Sequence, residues 1–416
     1  MKLSVWKQPL HQIRRNLAKI WLKFFPNLTI IGITGSYGKT NTARAITQIL
    51  SEKYKTLQTD LNLDTIYNLP ITILKLQPGM QKLILEYGVD HRGEMDLHLN
   101  LVKPTIAVLT GINPTHSEPE LLGSIEGIIK EKGKLLQALS KNDWAVLNWD
   151  DIKVRQMVNM TQAKIVKYGA ISDGDLPAGR QDYWADNIKI DFSGTSFTLH
   201  WQSEKHKLLT GLVGQHFVSA CLAAAVVGRL QNLSWMEIKT GLEKLKPLKG
   251  RLSIEKGPLG SILINDALRA NPASTLAGLK VLSCLPTKGK RIAVLGEMGE
   301  LGDLAKQEHR RIGQEIAKLN IDYLISIGPL QKLTAQEAIT GGMKKKRVFW
   351  VTNVSQAADV LRKILQKDDL FYLKGSLLKH LERVLIILQG QSVGCKVTSC
   401  HNYNQCNSCP DLQKVS

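Results

Sequence analysis

A glycine-rich turn between an apolar run and a helical pattern carries the clearest chemistry in this sequence. Residues 30–50 read IIGITGSYGKTNTARAITQIL. Backbone N–H groups of such a turn can face a polyphosphate, and the positive end of the following helix dipole adds to the attraction. A lysine and a hydroxyl residue after the turn can reach the outer phosphates and Mg²⁺. The predicted phosphate loop consists of Gly35, Ser36, Tyr37, Gly38, Lys39 and Thr40.

The spacing of this loop is a shortened variant of the usual pattern. G-x-x-x-x-G-K-[ST] would need glycine at position 33, where the sequence has Ile33. A chance glycine-rich turn is the alternative interpretation. The strand pattern before the loop and the helix pattern after it favour phosphate binding.

Two more polar sites follow predicted strands. Glu86 ends the strand in LILEYGVDHRGEMD, and His116 follows the next strand in TGINPTHSE. If the sheet is parallel, these strand ends share one edge with the phosphate loop, where ligands bind in open α/β sheets. Glu86 is then a candidate Mg²⁺ ligand, because hard cations prefer oxygen donors. The alternatives are a surface carboxylate at Glu86 and a capping role for His116.

The 416 residues, at about 100–200 per domain, allow two to four domains. A hydrophobic fraction of 43% and a charged fraction of 22% exclude wholesale disorder and a small disulfide scaffold. The sequence has no apolar run long enough to span a bilayer and no secretory signal pattern. We therefore expect a cytoplasmic protein, with a peripheral membrane location as a further option.

Apolar runs alternate with helix-length segments through most of the chain, which predicts an α/β fold built on mostly parallel sheets. Residues 184–213 differ, since their alternating pattern with Ser193-Gly194 at the turn predicts an inserted antiparallel hairpin. After Pro247 a second alternating block predicts a separate Rossmann-like domain. The predicted divisions are a helix over 1–26, a central P-loop-type domain over 27–246, a C-terminal domain over 247–390 and a Cys-rich tail over 391–416.

The segment 1–26 has the pattern of a basic amphipathic helix ending at Pro26. One interpretation is a helix lying on an anionic membrane surface. The other is a helix whose apolar stripe covers the core of its own domain. The predicted stripe consists of Trp6, Ile13, Leu17, Ile20, Trp21 and Phe24.

The net charge of +19 suggests anionic partners. Nucleic acid is one candidate, but the basic residues are spread along the chain and aromatic residues make up only 6%. We therefore expect no specific nucleic-acid binding.

Four cysteines near the C terminus have the spacing C-x4-C-x5-C-x2-C: Cys395, Cys400, Cys406 and Cys409. In a cytoplasmic chain this spacing indicates a metal site rather than disulfides. Structural Zn²⁺ suits four thiolates, and an iron–sulfur cluster or a tail of unligated thiols are the alternatives. The tail could also bind a protein partner.

Several motifs in the same order resemble those of the Mur ligase family of ATP-dependent amide-forming enzymes, most closely its D-alanyl-D-alanine-adding (MurF-type) branch. The resemblance covers roughly residues 28–390. It is carried by TGSYGKT, LILEYGVDHRGEMD, KPTIAVLTGINPTHSE, EKGKLL, KPLKGRL, INDALRANPAS, AVLGEMGELG and YLKGS.

The resemblance implies a ligase that uses ATP and Mg²⁺ to join a carboxylate donor to an amino acid or peptide amine through an acyl phosphate. It implies one Mg²⁺ at Thr40 and Glu86, and a second at His116 and a carbamylated Lys132. A solvated helix lysine is the alternative for Lys132. The implied catalytic set is Lys39, Glu86, His116, Lys132 and Arg251. Asp266 would bind the ATP ribose and Asn271 would face the nucleotide, while Lys374 and Ser376 would lie near the amine substrate.

The sequence departs from the family pattern at several positions. Only the short segment 1–26 precedes the predicted ATP domain, so we expect a UDP-sugar to be held in another way, or the substrate to be lipid-linked or free. Gly111 stands where the family has asparagine, and Phe217 and Ala220 replace its adenine-side asparagines. A non-catalytic or regulatory nucleotide-binding subunit is therefore the rival to a ligase.

Overall fold

The computed structural model describes residues 8–60, 65–114, 116–170, 181–400 and 406–413. The chain divides into two compact units. Unit 1 comprises residues 1–189, 195–212 and 216–245, and unit 2 comprises residues 190–194, 213–215 and 246–416. None of the helices in the described part of the chain combines the length and the hydrophobicity that a transmembrane segment needs.

Unit 1 is built on a sheet that has nine strands in the described part of the chain, in the order β2-β3-β1-β4-β5-β6-β7-β8-β9. The strands from β2 to β7 pair in parallel, whereas β8 and β9 are antiparallel. Their bounds are β1 Thr29–Thr34, β2 Thr56–Gln58, β3 Lys82–Glu86, β4 Ile106–Leu109, β5 Trp144–Asn148, β6 Lys164–Ala170, β7 Tyr183–Asp191, β8 Gly194–Trp201 and β9 Glu204–Thr210.

The helices of unit 1 pack on this sheet and on one another. Their bounds are α1 Gln8–Leu22, α2 Lys39–Leu50, α3 Thr65–Leu74, α4 Glu94–Leu101, α5 Ile125–Gln137, α6 Ile152–Gln156, α7 His216–Leu230 and α8 Trp235–Glu243. The Ala-rich helix α7 is buried along most of its length, as expected for a helix that is apolar on all sides. One core cluster joins aliphatic residues of β3, β4 and β5 to the buried sides of α3 and α5.

Unit 2 has its own sheet, with the order β10-β11-β15-β12-β13-β14. Only the β10–β11 pair is antiparallel among its described strands. The strands are β10 Ser253–Lys256, β11 Ile262–Asp266, β12 Arg291–Gly296, β13 Tyr323–Ile327, β14 Val348–Val351 and β15 Leu370–Lys374. The helices are α9 Pro272–Cys284, α10 Ala305–Lys318, α11 Gln331–Thr340, α12 Val354–Ile364 and α13 Glu382–Leu388. A separate apolar cluster lies between the sheet and α12 and α13.

The predicted α/β fold with two mostly parallel sheets is confirmed, and the structure refines two local predictions. The antiparallel pairing predicted within 184–213 is present between β8 and β9, and these strands continue the main sheet, because β6 pairs in parallel with β7. Helix α1 ends at Leu22, four residues before Pro26. Of the predicted apolar stripe, Trp21 packs against the core, whereas Ile13, Leu17, Ile20 and Phe24 are exposed. Trp6 of that stripe lies outside the described residues.

Candidate active site

The predicted phosphate loop lies between β1 and α2. Gly35 and Gly38 have φ values of 149° and 81°, in the region that favours glycine, and Gly38 is the N-cap of α2. A Cβ at Gly35 would lie 2.1 Å from Thr110 Oγ1, so the close approach of the neighbouring strand end also requires glycine there. Lys39 Nζ lies 2.5 Å from the Gly35 carbonyl oxygen, to which it donates. The lysine therefore folds back over its own loop.

Hydrogen bonds fix this loop to the residues that follow β4. Ser36 N donates to the Gly111 carbonyl at 2.7 Å, and Ser36 Oγ donates to the Asn113 carbonyl at 3.2 Å. Thr110 Oγ1 donates to the Tyr37 carbonyl at 2.5 Å. The parallel order β3-β1-β4 thus brings together the three strand ends that the sequence analysis singled out.

Tyr37 projects from the loop toward the start of α6. Its hydroxyl donates to Asp151 Oδ2 at 2.9 Å, and the same oxygen accepts from Ile112 N at 2.8 Å. Burial, together with the nearby Asp151 carboxylate, raises the pKa of Tyr37, so the phenol stays protonated and serves as a donor. A Cβ at Gly111 would lie 2.2 Å from Tyr37 Cζ. The tyrosine therefore occupies the space that a side chain at position 111 would need.

Thr40 and Glu86 meet beside the loop. Thr40 Oγ1 donates to Glu86 Oε2 at 3.2 Å, and Thr40 lies in the first turn of α2 while Glu86 ends β3. A hydroxyl and a carboxylate oxygen at this separation form a donor set that suits Mg²⁺, which prefers oxygen ligands.

Lys132 and His116 both lie close to the Val89 carbonyl oxygen. His116 Nδ1 lies 3.4 Å from the Val89 carbonyl oxygen, and Lys132 Nζ lies 3.5 Å from the same atom. Lys132 is on the inner side of α5 and is only 1% exposed. Burial, and secondarily the positive charge of Lys39, lowers the pKa of Lys132 well below its ordinary value. The lysine is thus not the solvated helix residue of the alternative interpretation.

Asp90, His91 and Glu94 form a cluster next to this site that the sequence analysis did not assign. His91 Nδ1 lies 2.8 Å from Asp90 Oδ1 and 3.3 Å from Glu94 Oε1, and Glu94 Oε2 accepts the backbone N–H of Asp90 at 2.9 Å. Burial and the neighbouring Asp90 raise the pKa of Glu94 to about 7. The D-H-x-x-E spacing around the turn before α4 was the available signal, since it places three titratable side chains within five residues.

In unit 2, the predicted nucleotide residues have clear local partners. Asp266 Oδ2 accepts from Lys374 Nζ at 2.6 Å and from Tyr372 OH at 3.0 Å, and Lys374 is almost fully buried. Asn271 is the N-cap of α9, and its Oδ1 accepts from Ser274 N at 2.9 Å. Arg251 follows the left-handed Gly250 and is half-buried. Their contacts with a nucleotide stay predictions.

A second loop of unit 2 depends on a histidine that the sequence analysis missed. His309 is fully buried, its Nδ1 lies 2.7 Å from the Ala305 carbonyl, and its Nε2 accepts from Met298 N at 3.2 Å. This pairing requires the neutral ring, and burial lowers the pKa of His309 accordingly. The histidine fixes the backbone of the GEMGELG segment, and only the tertiary fold reveals that contact.

The Cys-rich tail packs on unit 2. Cys400 N donates to the Leu378 carbonyl at 2.9 Å, and Cys406 N donates to Glu382 Oε1 at 3.2 Å. Within the described residues, the ligand atoms of His380, Glu382 and Cys406 lie within 4.8 Å of one another. The sulfur atoms of the four predicted cysteines do not form such a group in this part of the chain.

Comparison with known proteins places this geometry in a family. Residues 33–228 match the Mur ligase middle domain, and residues 250–377 match the Mur ligase glutamate ligase domain. The UDP-N-acetylmuramoyl-tripeptide–D-alanyl-D-alanine ligase of Bacillus subtilis is 30% identical over 371 residues, which is 89% of this chain and 78% of the relative. This chain belongs to the Mur ligase family.

Solved Mur ligases share the fold. MurF from Acinetobacter baumannii superposes with a TM-score of 0.81 at 25% identity, over 92% of this chain and 81% of that one. MurF from Thermotoga maritima, solved in complex with ADP, has a TM-score of 0.77 at 23% identity, over 92% of this chain and 84% of that one. Across similar relatives, this chain spans 60% to 78% of the relative's length. The predicted resemblance and the class of ATP-dependent ligase are confirmed at the level of the family.

Proposed function

We propose that this Mur ligase joins a carboxylate to an amine at the expense of ATP, in the synthesis of a cell-wall peptide precursor. The observation that carries the proposal is the convergence of Lys39, the Thr40–Glu86 pair and buried Lys132 at one sheet edge. The relatives' names suggest the peptide carboxylate of a UDP-muramoyl-tripeptide as donor and D-alanyl-D-alanine as acceptor.

The reaction requires mainly positioning and charge neutralisation. The donor carboxylate attacks the γ-phosphate of ATP, the bond to the β-phosphate oxygen breaks, and ADP leaves behind an acyl phosphate. The amine then attacks the acyl carbon, inorganic phosphate departs, and the nitrogen loses a proton to give the amide. Lys39 and the backbone N–H groups of the phosphate loop hold the outer phosphates while this charge moves.

Thr40 and Glu86 would hold one Mg²⁺, and His116 with a carbamate on Lys132 would hold a second. When bound, these ions neutralise phosphate charge and orient the reacting oxygens. The buried, pKa-lowered amine of Lys132 supports the carbamate, because only a neutral amine adds CO₂. The addition forms an N–C bond, releases a proton and converts the side chain into an anionic oxygen donor.

On the family resemblance, we also propose nucleotide contacts for Arg251, Asp266 and Asn271. Asp266 already accepts two side-chain hydrogen bonds, so a ribose hydroxyl would add to an existing network. A role for Lys374 beside the amine substrate loses support, because its ammonium group is buried in that network.

For the tail, we propose a structural Zn²⁺ at Cys406. Cys395, Cys400 and Cys409 are the further ligands that the spacing suggests, and their sulfur atoms would have to come closer to Cys406 on binding, since they are not grouped in the described residues. Cysteine, histidine and carboxylate donors all suit zinc, and the grouping of Cys406 with His380 and Glu382 adds two candidates.

Metal analysis of untagged protein tests the site: about one equivalent of zinc is expected, and loss of metal in Cys406→Ser would assign the ligand. Iron in place of zinc would favour the iron–sulfur alternative. A protein partner at the tail stays a separate proposal.

Phosphate release from ATP tests the ligase. The assay contains Mg²⁺, bicarbonate and a panel of cell-wall precursors, amino acids and dipeptides. We expect turnover that needs one acid and one amine, and a loss of at least 100-fold in Lys39→Ala and Lys132→Gln. Lys130→Gln is the matched control, since Lys130 is exposed on the same helix. Nucleotide binding without turnover on any pair would favour the regulatory-subunit alternative.

A further inference from the structure

Helix α1 docks on unit 1 through a side that is polar or small over most of its length and apolar at its end, where Trp21 and Leu22 pack against the core. Among the residues of α1 whose burial is described, His11, Arg15 and Ala18 are buried, and they face α3 and α4. Arg15 Nη2 donates to the Leu97 carbonyl at 2.5 Å, and Trp21 Nε1 donates to the Leu76 carbonyl at 3.2 Å. The helix is therefore held in a defined rotation about its axis.

This rotation leaves five large apolar side chains of α1 and the turn after it exposed, whereas Trp21, Leu22 and Phe25 pack against the core. Leu10, Ile13, Leu17, Ile20 and Phe24 are each 50% to 69% exposed. Their spacing of three, four, three and four residues places them along one helical face. These five residues form the α1 stripe. A helix that only covered its own core would bury this stripe, as one of the two sequence interpretations assumed.

The charged side chains of α1 and of the turn after it are all positive. Arg14, Lys19 and Lys23 flank the α1 stripe, and the first acidic residue of the whole chain is Glu52. Leu97, on the neighbouring helix α4, is also exposed, and Lys103 lies exposed just beyond the end of that helix. Apolar side chains in a row with cations along the sides match an anionic lipid surface, where acyl chains receive the stripe and headgroups pair with the cations.

We propose that the α1 stripe is a peripheral membrane-binding face that lies in the interface of an anionic bilayer. A second copy of the chain fits less well, although the three–four spacing also suits a coiled-coil seam. Two such helices would bring cations against cations along the flanks, with no acid on α1 to pair with them. The proposal is independent of the ligase chemistry, so failure of either leaves the other standing.

Flotation of the full chain with unilamellar vesicles tests the proposal. The vesicles contain phosphatidylcholine alone or a two-to-one mixture of phosphatidylcholine and phosphatidylglycerol. We expect binding to the anionic vesicles that is at least tenfold stronger than to neutral ones and that weakens as salt rises. The triple variant Ile13→Ser, Leu17→Ser, Ile20→Ser should lose at least tenfold in partitioning, because it removes the apolar centre of the stripe.

The matched control is Gln12→Ser with Asn16→Ser, two exposed polar positions on the same helix, which should bind as wild type does. Circular dichroism and phosphate release on a water-soluble substrate pair should be the same for all variants. Absence of wild-type binding to anionic vesicles, or equal binding by the triple variant, would overturn the proposal. A wild-type dimer in light scattering that the triple variant converts to a monomer, without vesicle binding, would also overturn it and assign the stripe to self-association.

Discussion

At the scale of single residues, Tyr37 explains a departure from the family pattern. Position 111 is glycine here, and the space that its side chain would need is filled by the Tyr37 ring. The ring is fixed in turn by the hydrogen bond of its hydroxyl to Asp151. The Tyr37 ring therefore supports the phosphate loop, and its contact with position 111 couples the two positions.

This coupling predicts a non-additive pair of substitutions. Gly111→Ala should lower the free energy of unfolding by about 1–3 kcal/mol, the usual cost of overpacking. In a Tyr37→Ala background the same substitution should cost much less, because the ring that it meets is gone. Urea unfolding of the four proteins, followed by the fluorescence of the tryptophans of unit 1, measures the difference. Gly299→Ala serves as control, since its Cβ would lie 3.6 Å from the nearest atom, Ser376 Oγ. Equal costs in both backgrounds would contradict the coupling.

Glu94 predicts how stability depends on pH. Burial and Asp90 raise its folded-state pKa from 4.5 to about 7, so the folded chain holds a proton that the unfolded chain has already lost. Stability should therefore fall as pH rises through this window and level off above it. Glu94→Gln keeps an acceptor for the two N–H groups but cannot titrate, so its decline between pH 5 and 8 should be smaller by about 1–3 kcal/mol.

The measurement is the free energy of unfolding at intervals from pH 5 to 8. Glu120→Gln, at an exposed position, should retain the wild-type dependence. If Glu94→Gln and wild type declined in parallel, another group would be responsible for the slope.

The sequence could predict the residues whose roles follow from their spacing along the chain. Gly35, Lys39 and Thr40 belong to one turn, and Glu86 and His116 follow strands whose parallel order could be inferred. Tyr37 against Gly111 could not be predicted, because the contact joins two strand ends 74 positions apart in the chain. The same holds for His309, whose role depends on which backbone amide the fold brings to its ring.

At the scale of elements, Asn271 has a structural role that competes with its predicted nucleotide role. Its side chain caps α9, and Ser274 returns the interaction to complete a capping box. Asn271→Ala should destabilise unit 2 by about 0.5–2 kcal/mol, whereas Asn271→Ser should retain the cap. If the amide also contacts nucleotide, both variants should raise KM for ATP. A change of KM in the alanine variant alone would indicate that loss of the helix cap, and not loss of a direct contact, weakens nucleotide binding.

Amphipathic patterns illustrate what the sequence leaves open at this scale. The sequence predicted both α1 and its apolar stripe, yet of that stripe only Trp21 packs on the core among the described residues, and the helix docks mainly through His11, Arg15 and Ala18. Periodicity reports which residues share a face, whereas the partner surface decides which face is buried. Strands β7 to β9 show the same limit, since alternation predicted the hairpin but only inter-strand pairing places it at the edge of the main sheet.

At the scale of the whole molecule, two sheets and two separate apolar clusters imply two cooperative units. Proteins of this kind depart from two-state unfolding, and different probes then give different transitions. Of the tryptophans that the structure describes, all except Trp350 lie in unit 1. Fluorescence should therefore report mainly unit 1, while circular dichroism reports both units. Coincident transitions in nucleotide-free protein would contradict this division.

The phosphate loop lies in unit 1, so ATP with Mg²⁺ should raise the fluorescence-detected transition. At a ligand concentration of 100 times Kd the stabilisation should be about 2.7 kcal/mol, and Lys39→Ala should abolish it. No rise of the fluorescence-detected transition with nucleotide would argue against nucleotide binding by the loop.

Leu373→Ala marks the other unit, because Leu373 is fully buried in the core of unit 2 and its truncation should cost about 2–5 kcal/mol there. That variant should lower the second transition seen by circular dichroism and leave the fluorescence midpoint unchanged.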